Sequence, residues 1–350
     1  MMPHGVGVIG AGPGVAALHL PTIARLADRF RVVHVSDAGS GRAATLAARA
    51  DARASSGTAE LLADPAVEVV AICSPPGDHA AQILASVAAG KRAILCEKPL
   101  ATTVADAEKV IEACRRAGIP LVVGTNHYYD PAWGRARHHL TVSGGPVVSI
   151  SVTLALPPNS RYHDVVTEAF EPSPARPRAD LADPVVAAGV VRALLTGLAI
   201  HDLPLVRDLA PRFERIVFAR ALAPVGYAVG FVASGIPVQL TTVMLPDGAD
   251  ALWRLTVTTD RDRLDVDFPP AFVHAGSASV RVRTIDGRDT AYAREHDDGY
   301  VAEWRALAEL VEFGEPVEYE ELLDDVRYAL RLADEAAAVV STAGLVEVSA

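Results

Sequence analysis

The sequence has few cysteines, few lysines and no long uninterrupted hydrophobic run. Cys73, Cys96 and Cys114 are odd in number, and the first two lie in apolar stretches. That pattern favours buried thiols in a reducing compartment over a disulfide framework. The apolar N-terminus has no basic region before it, and no run approaches the roughly 18 apolar residues of a membrane span. We therefore expect a soluble, cytoplasmic protein without a membrane partner.

Positive charge is also scarce. The formal net charge is −11, which argues against nucleic acid or an anionic membrane as a partner. Only Lys91, Lys98 and Lys109 are lysines among the 32 basic residues, so a lysine within a motif is more informative than usual. The 350 residues, half of them hydrophobic, exceed the about 250–300 residues that one core holds, which predicts two domains.

Residues 1–125 alternate strand patterns with helical patterns. Short apolar runs predict strands at Gly5–Gly10, Arg31–Ser36, Val67–Ser74, Arg92–Cys96 and Ile119–Val123. The segments between them have helical periodicity and predict helices at Val15–Asp28, Arg42–Ala50, Asp78–Ala89 and Val104–Ala117. This alternation is typical of a doubly wound parallel sheet of the Rossmann type in an α/β protein.

Residues 126–350 have a different pattern, in which strand-like runs follow one another with short turns between them. The predicted strands are Val147–Leu156, Arg215–Leu222, Tyr227–Ala233, Val238–Leu245, Leu252–Thr259, Arg263–Phe268 and Ser279–Ile285. Helical patterns cover Val185–Leu209, Val301–Gly314 and Glu321–Ser341, and Pro157–Arg178 predicts a long loop, with disorder as the alternative. We expect an α+β domain with a large, mostly antiparallel sheet.

A glycine-rich turn, Gly10-Ala11-Gly12, joins the first predicted strand to the first helix. Glycines let the backbone approach a pyrophosphate, and the helix N-terminus supplies amides and a positive dipole end. The third position of the dinucleotide motif is Val15, with Gly14 one residue early, so a simple tight turn is the alternative. The order of strand, turn, helix and acid nevertheless favours a nucleotide site that includes Asp37.

Asp37 lies at the end of the second predicted strand. A carboxylate there accepts hydrogen bonds from ribose hydroxyls and repels a 2′-phosphate. The sequence therefore predicts NAD(H) as the preferred cofactor. Arg42 lies close enough in the sequence to leave NADP(H) as the alternative.

The strand Arg92–Cys96 leads directly into Glu97-Lys98-Pro99. Ligands of open α/β sheets lie beyond the carboxyl ends of the strands, which is where Lys98 is expected. Pro99 restricts the backbone of Lys98 to extended conformations, and an ammonium group there can stabilise an alkoxide or polarise a carbonyl. The tripeptide alone leaves an ordinary surface lysine as the alternative.

These motifs resemble those of the Gfo/Idh/MocA family of oxidoreductases (glucose–fructose oxidoreductase, inositol dehydrogenase). The similarity covers nearly the whole chain, is specific around Glu97-Lys98-Pro99 and is looser in the second domain. The matching segments are VIGAGPG, VVAICSP followed by His79, ILCEKPLA, GTNHYYDP and the closing region Glu303–Asp334.

The resemblance implies a Rossmann domain followed by an open-faced antiparallel sheet. It also implies that Glu97 and Lys98 lie near the nicotinamide ribose, and that Ser74 and His79 line the cofactor cleft.

The family usually carries an aspartate and, four residues later, a histidine on a helix that faces the nicotinamide. Here His201 occupies the histidine position, but Gly197 stands at the aspartate position, and Tyr128 stands where many relatives have arginine. These differences leave the substrate and the proton relay open.

The expected chemistry depends on Lys98 and His201. A hydride leaves a carbinol carbon only as the hydroxyl proton is removed, and imidazole titrates near working pH. Lys98 is therefore predicted to hold the oxygen and His201 to act as the acid/base. Tyr128 and Asp202 are candidate substrate contacts, with core packing and a helix-surface or capping role as their respective alternatives. His138-His139 and His163-Asp164 lack metal-ligand spacing, so we expect no metal.

The sequence thus predicts an NAD(P)-dependent oxidoreductase that interconverts a hydroxyl and a carbonyl on a sugar, nucleotide sugar or cyclitol. Two alternatives stay open: a redox-neutral glycosidase or epimerase with recycling NAD, and a non-catalytic NAD-binding sensor. The expected partner is a small polyhydroxylated substrate. We also expect a homodimer or homotetramer through the C-terminal sheet, because a large apolar sheet face rarely stays exposed.

Overall fold

The computed structural model describes residues 2–157, 179–245, 251–270, 273–314 and 317–343. The chain divides into two compact units, the first holding residues up to 126 together with 300–327, and the second holding the other described residues. The first boundary lies beside the predicted one, whereas the segment 300–327 belongs to the N-terminal unit. The predicted loop Pro157–Arg178, with His163-Asp164, lies outside the described residues except for Pro157.

A six-stranded parallel sheet forms the centre of the first unit. Its strands are β1 His4–Ile9, β2 Phe30–Asp37, β3 Arg53–Ser56, β4 Val69–Ile72, β5 Ala93–Glu97 and β6 Leu121–Gly124. The strand order is β3-β2-β1-β4-β5-β6, which confirms the predicted Rossmann sheet. The five apolar strands were predicted, but β3 was not, because Arg53–Ser56 is a short, polar and largely exposed edge strand without an apolar run.

The helical segments predicted within residues 1–125 and the two predicted at the end of the chain are found, whereas the helices Ala59–Ala63, Asn126–Tyr129 and Pro131–Val142 were not predicted. In chain order the helices are α1 Leu20–Arg25, α2 Arg42–Arg49, α3 Ala59–Ala63, α4 His79–Ala88, α5 Val104–Ala117, α6 Asn126–Tyr129, α7 Pro131–Val142, α8 Pro184–Gly197, α9 Leu203–Leu209, α10 Gly299–Phe313 and α11 Tyr319–Ala343. A π-helical turn, Val15–His19, precedes α1, and 3-10 turns occupy Pro76–Asp78 and Ala199–His201.

The predicted helix Val185–Leu209 is in fact two helices, α8 and α9, joined by the 3-10 turn. Gly197, a weak helix former, ends α8, and Pro204, which has no N–H, lies in the first turn of α9. By length and composition alone, the segment Pro184–His201 could cross a membrane. One side of it is packed in the core of the second unit, as in the apolar helices of many globular domains.

An eight-stranded sheet forms the second unit. Its strands are β7 Val147–Leu156, β8 Phe213–Ala221, β9 Gly226–Ala233, β10 Ile236–Met244, β11 Leu252–Thr259, β12 Asp262–Asp267, β13 Ser279–Thr284 and β14 Asp289–Tyr292. The order is β14-β13-β12-β11-β7-β10-β9-β8, and all neighbours are antiparallel except β7 and β10. The predicted mostly antiparallel sheet is confirmed. The sequence missed β14, which is a short, exposed edge strand.

The two faces of this sheet differ in polarity. One face carries buried residues such as Leu255 and Val257, which belong to the hydrophobic core. On the opposite face Arg254 forms an ion pair with Asp267, and Asp265 pairs with two further arginines. The outward face is therefore polar over these strands. Our expectation of a large apolar face is wrong there.

Asp130 connects a helix to a strand within the second unit. Its Oδ1 accepts a hydrogen bond from Ala132 N (2.8 Å) at the start of α7. Its Oδ2 accepts one from Ala278 N (3.0 Å), just before β13. Burial raises the pKa of this carboxyl group, although the two amides lower it.

We predict that Asp130→Ala lowers stability strongly. It removes a helix cap, worth about 0.5–2 kcal/mol, and leaves a buried amide unsatisfied, which costs about 1–3 kcal/mol. Asp183→Ala is the matched control, because Asp183 caps the N-terminus of α8 at an exposed position. Urea unfolding should show a clearly lower midpoint for Asp130→Ala than for Asp183→Ala, and equal midpoints would contradict this account.

Candidate active site

A cleft of about 410 Å³ opens at the carboxyl ends of β1, β2 and β4 in the first unit. Of the residues predicted for the cofactor, Gly10, Gly12, Asp37 and Ser74 line it. The strand order reverses between β1 and β4, and doubly wound sheets bind ligands at that switch point. The position and size of the cleft suit a dinucleotide.

The glycine-rich turn has one position where only glycine fits. Gly10 has a φ of +116°, and a Cβ there would lie 2.5 Å from the carbonyl oxygen of Cys73. At Gly12 and Gly14 an added Cβ would meet no atom within 4 Å, so the backbone is open to a phosphate group. Val15 is 1% exposed and contributes to the core rather than to the surface of the turn.

Asp37 is held by its own loop. Its Oδ1 accepts a hydrogen bond from Gly39 N (2.7 Å), and its Oδ2 accepts from Ser40 Oγ (2.6 Å) and Ala43 N (3.0 Å). Partial burial raises the pKa of this carboxyl group, but the hydrogen bonds from Ser40 and the backbone lower it by more. A carboxylate has about four acceptor sites, so Asp37 is charged and can still accept a hydrogen bond from a ligand.

Glu97 and Lys98 follow β5 at the same edge of the sheet. Oε2 of Glu97 accepts a hydrogen bond from Lys98 N (3.1 Å), and its Oε1 lies 2.9 Å from Nε2 of His19. Lys98 is half-buried, and its peptide bond to Pro99 is cis. Burial lowers the pKa of the Lys98 ammonium group, and the neighbouring Glu97 only partly offsets this.

His79 supports the wall of the cleft rather than lining it. It is fully buried, with Nε2 2.9 Å from the carbonyl oxygen of Ser74 and Nδ1 2.8 Å from that of Pro99. It therefore connects the loop after β4 to the loop after β5. Ser74 itself lines the cleft, and its hydroxyl donates to Gln82 Oε1 (2.6 Å).

In the second unit, His201 lies in the 3-10 turn and not on a regular α-helix, and it is 3% exposed. Its neighbour Asp202 is fully buried. Both oxygens of Asp202 accept hydrogen bonds from the indole of Trp253 (3.0 and 2.8 Å), and Oδ1 also lies 2.9 Å from Nδ1 of His127. This favours a positioning role for Asp202 over contact with a substrate.

The sequence did not single out His127. Its ring stacks on Phe268 at 3.7 Å, and its centroid lies 5.4 Å from that of His201. Its carboxylate partner is 75 residues away in the sequence, so no local pattern signals the pair.

The aromatic residues after β6 have different environments. Tyr128 is 38% exposed and lies below the guanidinium of Arg137 (5.9 Å), whereas Trp133 is buried. Tyr128 is therefore open to a ligand, and Trp133 is a core residue. Among the described residues, no three His, Cys, Asp or Glu side chains come together as metal ligands would.

Comparison with known proteins defines the class. Residues 4–125 match the model of an oxidoreductase family with an NAD-binding Rossmann fold. That family is Gfo/Idh/MocA, the one that the sequence motifs resemble, and the match is confined to the N-terminal residues 4–125.

Individual relatives agree with this assignment. Inositol 2-dehydrogenase 2 of Saccharopolyspora erythraea is 37% identical over 225 residues, which are 64% of this chain and 58% of that relative. The match thus spans less than two thirds of the relative's length.

Solved structures extend the likeness of fold to nearly the whole chain. UDP-N-acetylglucosamine 3-dehydrogenase from Acidithiobacillus ferrooxidans has a TM-score of 0.74 at 20% identity, covering 97% of this chain and 100% of its own. A 3-ketoreductase from Actinomadura kijaniata, solved with NADP and TDP-benzene, has a TM-score of 0.71 at 21% identity, covering 94% and 96%.

Proposed function

We propose that this chain is an NAD(P)-dependent dehydrogenase or reductase that interconverts a hydroxyl and a carbonyl on a sugar, nucleotide sugar or cyclitol. The observation that carries the proposal is Lys98, a half-buried lysine at the carboxyl end of β5 in a unit with a cleft for a dinucleotide. The names of the relatives, which include an inositol and a nucleotide sugar, support a small polyhydroxylated substrate. A cytoplasmic location is part of the proposal and is supported by the free thiols of Cys73, Cys96 and Cys114.

Lys98 would hold the substrate oxygen. A bound nicotinamide supplies or accepts the hydride, so the protein has to manage the charge and the proton on that oxygen. An ammonium group stabilises the negative charge that develops there, most strongly where water is partly excluded. Burial lowers the pKa of Lys98, so this contribution is lost at a lower pH than for a free lysine.

His201 would take or return the proton. Gly197 stands where the family usually has an aspartate. An added Cβ at Gly197 would meet nothing within 4 Å, so the missing aspartate side chain changes the chemistry of the site and not the packing. The carboxylate next to His201 in the sequence is that of Asp202, which is held by Trp253 and His127. We infer that these contacts of Asp202 orient the turn that carries His201.

We predict that Lys98→Met and His201→Asn each lower turnover by about 10²–10⁴-fold, the usual contribution of positioned acid–base catalysis. The double variant should be far less than multiplicatively worse, because residues of one relay are not additive. Oxidation should fall at high pH as Lys98 loses its proton, and at a lower pH than for an ordinary lysine. The measurement is NADH formation in a screen of polyols and sugars.

Lys109→Met is the control, because Lys109 is an exposed lysine on α5. Near-normal turnover with an unchanged pH profile in His201→Asn would remove His201 from the mechanism and leave Asp202 or Tyr128 as candidates. Substrate conversion without net NADH would identify a redox-neutral enzyme with recycling NAD. Binding of NADH without any turnover would favour a sensor.

We further propose that NAD(H) is the preferred cofactor, with NADP(H) as the alternative. The charged Asp37 in the cleft supports NAD(H). Arg42 also lines the cleft, where its Nε donates to Ser40 Oγ (3.3 Å), and it could face a 2′-phosphate. The relative solved with NADP is a reason to test both cofactors.

Asp37→Ala should weaken NADH binding by about 1.5–3 kcal/mol, because it removes a charge-assisted hydrogen bond. It should weaken NADPH binding by less. Arg42→Ala should weaken NADPH binding more than NADH binding. Ser40→Ala is the control for the loop, because it removes one hydrogen bond to Asp37 and keeps the carboxylate. Calorimetric titration measures both affinities, and tighter binding of NADPH by the wild type would overturn the preference.

We also propose self-association, as a homodimer or homotetramer, through the outward face of the eight-stranded sheet. Because this face carries ion pairs such as Arg254–Asp267 and Arg281–Asp289 over β11 to β14, charged and polar contacts rather than apolar burial would hold the interface at those strands.

The self-association should therefore weaken with salt, and Arg281→Glu should shift the protein toward monomer. Arg192→Glu is the control, because Arg192 pairs with Asp334 between two helices. Sedimentation at low and high salt measures the effect. A wild-type monomer at micromolar concentration and low salt would refute the proposal.

A further inference from the structure

A buried histidine lies behind Glu97 in the first unit. His19 ends the π-helical turn that follows the glycine-rich turn, and it is 1% exposed. Its Nε2 lies 2.9 Å from Oε1 of Glu97, 78 residues away in the sequence. The contact therefore connects the segment that follows the glycine-rich turn to the carboxyl end of β5.

The partners of His19 determine which way its hydrogen bonds run. Trp304 Nε1 lies 3.3 Å from Nδ1 of His19, and an indole N–H can only donate. Nδ1 is therefore the acceptor, and Nε2 carries the proton that is donated to Glu97. The fully buried Trp304 ring stands edge-on to His19 at 6.2 Å and so holds the imidazole in this orientation.

Glu97 is thus held by two donors, His19 at Oε1 and the backbone N–H of Lys98 at Oε2. Its side chain is still 21% exposed, so lone pairs remain for a ligand. We propose that His19 is a positioning residue that keeps the Glu97 carboxylate charged and aimed at the nicotinamide end of a bound cofactor. This inference rests on the proposed function.

The electrostatics of Glu97 agree with this geometry. Burial raises the pKa of Glu97, but the hydrogen bond and charge of His19, with Lys98, lower it by more. Without His19, the effect of burial would be opposed only by Lys98, and Glu97 would take up a proton at a higher pH. A neutral Glu97 would in turn cease to raise the pKa of Lys98.

The other titratable groups near Glu97 do not replace His19. Burial raises the pKa of both Cys73 and Cys96, so each stays a neutral thiol. The carboxylate of Glu303 raises the pKa of Cys73 further. Burial lowers the pKa of His19, and its contacts with Cys73 and Glu97 raise it by more. Nε2 carries the proton toward Glu97, and Nδ1 accepts from Trp304 while the ring is neutral.

The test is titration of the whole protein with NADH by calorimetry at about pH 6 and about pH 8, where a carboxylate with a lowered pKa is charged throughout. Wild-type affinity should be the same at both. His19→Leu should lose affinity roughly tenfold on going to the lower pH, because its Glu97 protonates. His19→Gln, whose amide can still donate to Glu97, should recover most of the wild-type affinity.

His34→Leu is the matched control. His34 is a buried histidine of the same sheet that also contacts a carboxylate, Asp64 (2.9 Å), but it lies on β2 away from Glu97. It should lower the melting temperature as His19→Leu does, without making NADH affinity depend on pH. In a Glu97→Gln background, His19→Leu should have no further effect on affinity, because the two residues act together.

Equal affinity of His19→Leu at the two pH values would overturn the inference, and so would a His19→Gln variant no better than His19→Leu. If His19→Leu does not fold, His19→Phe, which keeps a ring of similar size, takes its place with the same expected loss. A wild type that binds neither NADH nor NADPH would instead defeat the proposed function itself, and this inference with it.

Discussion

The close approach of Gly10 to the carbonyl group of Cys73 is the constraint on which the cofactor cleft depends. β1 and β4 are neighbours in the parallel sheet, and their carboxyl ends meet at the switch point. A side chain at residue 10 would collide with the backbone after β4, so the turn could not close as it does. Because the turn closes there, the residues that follow, Ala11 and Gly12, line the cleft, and Asp37 at the end of β2 lines it as well.

Buried and partly buried histidine–carboxylate pairs recur through both units. His34 with Asp64 and His139 with Asp262 connect separate segments within a unit, whereas His19 contacts Glu97 of the candidate site. A carboxylate in a low-dielectric interior is costly unless it is hydrogen-bonded, and a histidine can satisfy it without adding a fixed charge. The histidine–carboxylate hydrogen bond thus connects segments within each unit and also keeps the candidate functional carboxylate of Glu97 in place.

The sequence predicted best those parts that depend on local patterns. The buried strands of the Rossmann sheet are continuous apolar runs, and the glycine-rich turn and Glu97-Lys98-Pro99 are contiguous motifs. Short polar edge strands such as β3 were missed because edge position leaves no hydrophobic signal. The break between α8 and α9 was missed because the apolar periodicity continues across Gly197 and Pro204.

Contacts between residues far apart in the sequence limit how much of the candidate site the sequence can predict. The hydrogen bonds that bury Asp202 come from Trp253 and His127, and the partner of Glu97 is His19; in each case the residues meet only when strands and turns assemble. The polarity of the outward sheet face also depends on which residues of neighbouring strands lie opposite one another. Register of this kind is a property of the whole sheet.

The π-helical turn Val15–His19 has a consequence for how this segment tolerates changes in length. A π turn closes hydrogen bonds over five residues instead of four, so it accommodates one residue more than an α-helical turn. The extra residue lets the glycine-rich turn and His19 both keep their places, whereas a change in length that the turn does not absorb rotates the following side chains by about 100° per residue around the axis. Such a change would leave the helix intact but would turn the imidazole away from Glu97. The spacing from the glycine-rich turn to His19 is therefore a fixed length, and substitutions should be accepted in this segment far more readily than insertions or deletions.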